Sequence, residues 1–228
     1  MSKGPRVGYR VAPLFSPDFT YDRNNLFLKY ALDRVVSATA LILLLPVLVI
    51  ISVSIMIERW LFAESRGPVL ISEGRISAGR PFSYLKFRTF YIQDDPLHKH
   101  SRGTTDFINN RRLTGVGRVL RKFYLDELPQ LLNILKGEMS LVGPRPWPEA
   151  QYEAILKRGF QAKRVLRGGL CGPIQGLKGQ SRKQKSQTVD PEDRLVDDYL
   201  SRSAVGVAIL DFRHIWGTFR VFIYAQGL

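Results

Sequence analysis

A run of 23 residues without a charge, Val35 to Ile57, constrains this chain more than any other feature of its sequence. Lys29 and Arg34 flank it on one side, Glu58 and Arg59 on the other. At about 1.5 Å of rise per residue, a helix of that length crosses a hydrocarbon core of roughly 30 Å. A buried core helix is the competing reading, but so long an uncharged stretch points to a bilayer. Lys3, Arg6, Arg10, Arg23, Lys29 and Arg34 precede the run, and the other 28 of the 34 lysines and arginines follow it. Both flanks are therefore cytosolic under the positive-inside bias. Pro46 sits at the middle, where a proline can bend a membrane helix without expelling it. A helix that enters, bends at Pro46 and returns satisfies both flanks, so the expectation is a re-entrant hairpin.

The remainder is long enough for one sizeable core. The division predicted is a polar leader and juxtamembrane segment over 1–34, the re-entrant helix over 35–57 and a cytosolic domain over 58–228. Met1 to Asn25 is polar and contains prolines, which predicts a loosely ordered leader rather than a cleavable signal peptide. The net charge of +14 calls for an anionic partner, whether nucleic acid, anionic lipid or a phosphorylated substrate. A single Cys171 excludes an internal disulfide. His98, His100 and His214 lack the companions of a zinc site.

The densest chemistry lies between Leu125 and Pro146. Val119, Leu120, Phe123 and Tyr124 keep helical spacing, as do Leu128, Leu131, Leu132 and Leu135. Pro129 interrupts what would be one helix but suits the start of a new one. The pattern predicts a helix ending near Tyr124 or Leu125, a break, and a second helix over Pro129 to Lys136 closed by Gly137. Asp126 and Glu127 fall in that break. An acidic flank to a helix N-terminus is the plain reading of such a pair. The nearby Gly143-Pro144-Arg145-Pro146 changes the weighting, because two prolines hold an arginine, the side chain suited to bidentate phosphate recognition.

Elsewhere, Gly67 to Phe90 predicts a β-hairpin turning at Ser77-Ala78-Gly79-Arg80. Strand alternation would put Lys86 and Arg88 on one face, where two cations can clamp a phosphate or simply line a solvated edge. Tyr91 to Asn110 is polar and expected to be irregular. Arg121 lies on the first helix within reach of Glu127. Glu149 to Phe160 is expected to be helical, Lys178 to Lys185 a basic surface loop. Ser203 to Tyr224 fits a helix at a membrane interface or one packed on the core.

Leu125 to Gln130 and Met139 to Pro146 resemble the signature of the bacterial sugar transferases, the monotopic polyprenyl-phosphate phosphoglycosyl transferases. Lys86-Phe87-Arg88-Thr89 resembles the family's upstream motif, with Phe90 in place of its methionine. Gly168 to Gln175 stands where the family has a Pro-Gly-Ile-Thr-Gly loop, with Gly168 and Cys171 as departures. The likeness runs from about Phe27 to the C-terminus. It implies an α+β membrane-associated fold: the re-entrant helix hairpin, a mostly helical catalytic domain with a small β-hairpin, and interfacial amphipathic helices.

The resemblance also implies a reaction, in which a sugar 1-phosphate passes from a nucleotide sugar, expected to be a UDP-sugar, to a polyprenyl phosphate. UMP is released, at the cytosolic face of a bacterial inner membrane, in building a surface glycan. Asp126 would be the nucleophile, forming a covalent phosphosugar–aspartate. Glu127 would complete a Mg²⁺ environment with Asp126 or assist the acceptor as a base. Lys86, Arg88, Arg145 and Arg121 would attend the phosphates. A nucleic-acid-binding protein would also explain the charge, and a non-catalytic membrane adaptor the anchor. The first leaves the apolar run and the acidic pair without a role, so no nucleic acid is expected.

Overall fold

The computed structural model describes residues 23–91, 113–157, 162–174 and 191–223. The greater part of the leader, of the polar stretch after Tyr91, and the basic run from Lys178 to Lys185 lie outside these residues.

One helix, α1 (Arg23–Leu61, 39 residues), organises the rest. It begins inside the expected leader and continues without interruption through the apolar run. No interruption marks the bend expected at Pro46: α1 runs through this residue as a single helix. Pro46 is exposed, so the carbonyl it leaves without an amide partner lies away from the folded domain.

Leu26, Lys29, Asp33, Ser37, Ala40, Leu44, Leu48, Ile51, Ile55 and Glu58 recur every three or four positions. Their side chains form the inner stripe of α1, and three packing regions use it in succession. Leu26 joins Ala162, Leu166, Leu195, Val196, Tyr199 and Val207. Ala40, Leu41 and Leu44 pack on Tyr84, Leu131, Ile134 and Met139. Leu48, Ile51 and Ile55 meet Phe87, Leu120, Leu125 and Leu128. From Leu26 to Glu58 is about 48 Å of helix, so the folded domain accompanies the apolar run along its length. The outer faces keep Ile42, Leu43, Leu45, Val49, Ile50, Val53, Ile57 and Trp60 exposed.

The hairpin forms as expected, from β1 (Leu70–Ser77) and β2 (Arg80–Phe87). Ala78 and Gly79, both at positive φ, make the tight turn whose twist matches the strands. A short strand, β4 (Trp147–Pro148), adds to the other edge of β1. Two helices follow the hairpin, α2 (Gly115–Lys122) and α3 (Gln130–Lys136). Thr114 caps α2 by accepting from the Gly117 amide at 2.9 Å, and Glu58 accepts from the Gly115 and Val116 amides at 2.6 and 3.2 Å. The far end of α1 is thus the second cap of α2. Asn133, fully buried on α3, accepts from the Leu85 amide and donates to the Ser83 carbonyl, which ties β2 to α3.

Strand β3 (Met139–Val142) pairs in parallel with β5 (Gly168–Cys171), an element the sequence reading did not anticipate. Between them lie β4, α4 (Glu149–Lys157) and α5 (Ala162–Val165). Two helices complete the described chain, α6 (Pro191–Ser201), also unanticipated, and α7 (Ala204–Ile223). Helix α7 packs one face on the core and leaves another apolar face uncovered by the described residues. Val207 and Leu210 pack inward, while Val205, Ile209, Phe212, Trp216 and Phe219 form an exposed apolar stripe.

Where α1, β3 and α7 meet, a buried polar network replaces apolar packing. Lys29 Nζ donates to Ser140 Oγ at 2.8 Å and pairs with Asp33 at 3.2 Å and Asp211 at 2.9 Å. Ser140 donates to Asp33, and the Tyr199 hydroxyl donates to Asp211.

Candidate active site

Asp126 and Glu127 sit in a single 3₁₀ turn, Leu125–Glu127, between α2 and α3. Pro129 caps α3 in the right-handed helical region and Gly137 closes it at φ +82°. The turn is entered through Tyr124, a non-glycine residue at φ +55°. Such backbone costs on the order of 1 kcal/mol or more and persists only where the surroundings enforce it. Both carboxylate residues are only 8 % exposed.

Two cations approach Glu127. Lys86 Nζ lies 3.6 Å and an Arg145 guanidinium nitrogen 3.5 Å from the same oxygen, Oε1. Lys86 comes from β2, whose position relative to the turn is held by Asn133. Its ammonium stands over the Tyr84 ring at 5.2 Å, and Arg75 stands over that ring at 4.9 Å. Arg75 also donates to the Pro146 carbonyl at 2.8 Å, which holds the loop that carries Arg145.

That loop follows β3 and is fixed from three sides. The Gly143 amide donates to the Cys171 carbonyl and the Gly169 amide to the Pro144 carbonyl. A Cβ on Gly143 would lie 2.2 Å from the Arg167 carbonyl, so only glycine permits this approach. The Arg145 amide donates to Glu192 Oε1 at 2.6 Å. Glu192, on α6, is also paired with Lys163. Sequence reading did not find Glu192. A carboxylate after a basic, serine-containing run carries no local signal that it will reach Arg145.

The site's electrostatics are asymmetric. Burial pushes the Asp126 carboxyl up to about 6, against the pull of Lys86 and Arg121 and with the push of Glu127. Burial alone would lower Arg145, but the Glu127 carboxylate outweighs it and holds the guanidinium above its ordinary value. Arg121 stacks over Phe90 at 5.4 Å and acts on Asp126 through its charge.

Arg88 has a different place from the one expected. It lies just past β2, is 3 % exposed, and donates to the carbonyls of Ser65 at 2.6 Å and of Pro68 and Phe90 at 2.9 Å. Three carbonyls occupy its guanidinium, so it braces the chain after α1. The cations gathered at the turn are Lys86 and Arg145.

Whether this turn suits a divalent cation rests on its donors. Asp126 and Glu127 offer adjacent oxygen ligands, and Gln130, fully buried one helical turn on, has neither amide atom hydrogen-bonded. Mg²⁺ is commonly held by one or two carboxylates, with substrate phosphates and water completing its shell. The pair fits that pattern, although no cluster of three or more His, Cys, Asp or Glu occurs among the described residues.

The sequence model for bacterial sugar transferases matches residues 24–225. The chain is 33% identical over 182 residues to the UDP-glucose:undecaprenyl-phosphate glucose-1-phosphate transferase of Klebsiella pneumoniae, covering 76% of this chain and 36% of the relative. It is 38% identical over 159 residues to the protein of the same name from Caulobacter vibrioides, 66% of this chain and 55% of the relative. A UDP-N-acetylgalactosamine-undecaprenyl-phosphate N-acetylgalactosaminephosphotransferase of Aeromonas hydrophila is 33% identical over 156 residues, 67% of this chain and 34% of the relative. The chain therefore spans between about a third and just over half of these relatives' length. The family match takes in α1, the carboxylate turn, the Arg145 loop and α7, and on that ground this chain belongs to the bacterial sugar transferase family.

Proposed function

We propose that this protein moves a sugar 1-phosphate from a UDP-sugar to a polyprenyl phosphate at a membrane surface. The observation that carries the reading is the buried Asp126–Glu127 turn facing Lys86 and Arg145, built directly against a long apolar helix. The relatives' names supply the substrate class.

In the first step an Asp126 carboxylate oxygen attacks the phosphorus that bears the sugar. The P–O–P bond breaks and UMP departs with the bridging oxygen, leaving a phosphosugar on Asp126. In the second, an oxygen of the acceptor phosphate attacks the same phosphorus and Asp126 is released as its carboxylate. Two unit negative charges about 4 Å apart repel by roughly 4 kcal/mol at an effective dielectric near 20. Lys86 and Arg145 reduce that repulsion by drawing phosphate oxygens away from the nucleophile. Glu127, held between them, keeps both cations aimed at the turn. Mg²⁺ held by Asp126 and Glu127 would supply further charge neutralisation on the diphosphate.

The test is a panel of UDP-sugars with polyprenyl phosphate, read as UMP release. At least one sugar is expected to give turnover that EDTA abolishes and Mg²⁺ restores. Silence from every UDP-sugar with protein that is folded in vesicles would sink the reading, and full turnover after chelation would remove the metal from it.

The same reading extends to topology. Lys29 near one end of α1 and Glu58 near the other are bonded to one folded domain, which supports both ends lying on the same, cytosolic, side of the membrane. The outer faces of α1 would then sit in the lipid from one side, deepest around Pro46. Asn24→Cys and Glu64→Cys are expected to react with the same impermeant reagent from the same side of sealed vesicles. Labelling from opposite sides would show a span.

A further inference from the structure

A cavity of about 640 Å³ opens at the C-terminal end of α1, lined by Met56, Arg59, Trp60, Arg66, Gly67 and Pro68. It includes none of the residues gathered at the carboxylate turn. One wall, Arg66 to Pro68, is fixed from behind by Arg88, which donates to the Ser65 and Pro68 carbonyls.

Two guanidinium groups enter this cavity nearly unengaged. Among the described residues the Arg59 guanidinium donates only to the Gly67 carbonyl, at 3.4 Å, and the Arg66 guanidinium meets no hydrogen-bonding or ionic partner, its backbone amide alone donating to the Ala63 carbonyl. Glu58, the neighbouring carboxylate on α1, is turned to the start of α2, and Glu64 does not line the cavity. The cavity thus holds positive charge without its complement, and paired arginines suit a phosphate.

The apolar lining decides what kind of phosphate. Trp60 is 84 % exposed and Met56 55 %, and both continue the outward apolar face of α1. The cavity lies where the uncharged run gives way to Glu58 and Arg59, the level at which aromatic residues sit at a bilayer boundary. A soluble anion would use the arginines and leave the tryptophan and methionine in water. A bilayer lipid uses both.

We propose that this cavity binds the headgroup of an anionic phospholipid, its phosphodiester on Arg59 and Arg66 and its upper acyl chain along Met56 and Trp60. Occupancy would hold the C-terminal end of α1 at headgroup depth. The site is separate from that of the polyprenyl phosphate acceptor, whose phosphate must reach the carboxylate turn.

The experiment uses the full chain in detergent with Trp147→Phe and Trp216→Phe, leaving Trp60 as the sole tryptophan among the three. Dihexanoylphosphatidylglycerol and dihexanoylphosphatidylcholine are titrated against its fluorescence. The phosphatidylglycerol response is expected to saturate and to be the tighter. At roughly a fivefold contribution per arginine near an anionic surface, Arg66→Gln alone weakens it about fivefold, and Arg59→Gln/Arg66→Gln about 30-fold. Arg66→Gln removes no hydrogen bond, so its effect does not arise through misfolding. Arg213→Gln/Arg220→Gln, on exposed positions of α7, leaves it within twofold. Equal response to the two lipids, or equal loss from the α7 pair, would overturn the site in favour of general charge attraction. Displacement of the phosphatidylglycerol by polyprenyl phosphate would overturn the choice of occupant and assign the cavity to the acceptor.

Discussion

Asp126→Asn is expected to be inactive and, at pH 8, more stable than the wild type. If Asp126 is the nucleophile, kcat falls by roughly a thousandfold or more, the scale on which losing a covalent nucleophile acts. Exchange of labelled UMP into UDP-sugar without acceptor disappears with it, as does the sugar-phosphate mass on the peptide containing Asp126. The stability change has a separate cause. Folding raises this carboxyl from its ordinary value of 3.8 to about 6, chiefly by burial, so the folded protein favours its neutral form. Two units correspond to at most about 3 kcal/mol lost whenever the group is ionised, and the asparagine removes that loss. The loss is complete above pH 6, shrinks as pH falls from 6 to 3.8, and is absent below. The mutant's advantage in Tm, on the order of 5 °C at pH 8, should therefore vanish toward pH 4. A mutant less stable than wild type at pH 8 would contradict the account. Persistent UMP exchange would demote Asp126 from nucleophile and favour direct displacement by the acceptor.

The second large effect lies away from the site. Lys29→Met is expected to destabilise the fold by about 3–5 kcal/mol, because it leaves Asp33 and Asp211 buried without their shared cation. The same change removes the donor to Ser140 on β3, the strand that leads into the Arg145 loop, so activity should fall as well. Denaturant midpoints in detergent read the first effect. Adding Asp211→Asn to Lys29→Met should restore part of the stability by removing one of the stranded charges, which no simple loss of lysine packing would do. A midpoint that Lys29→Met does not move would show that the network contributes little.

Local features of the sequence determined more of this protein than its size suggests. The charge-free run from Val35 to Ile57 announces an apolar helix because charge is costly in hydrocarbon wherever the run is placed. Pro129 and Gly137 bound α3, and Ala78-Gly79 turns the hairpin, because these residues act on their own backbone. The Asp126–Glu127 break and the Arg145 loop were legible for the same reason.

What tertiary structure decided depends on distance along the chain. Arg88 and Lys86 are two residues apart and alike in alternation, yet β2 ends between them, and the chain after α1 supplies three carbonyls to Arg88 alone. Glu192 reaches the Arg145 amide across 47 positions, and β3 pairs with β5 although neither short strand signals that partner by itself. Helix α1 is apolar on nearly every face, so no periodicity in its run could say which stripe turns inward. The side chains packed against it made that choice, and with it the placing of the carboxylate turn against the helix.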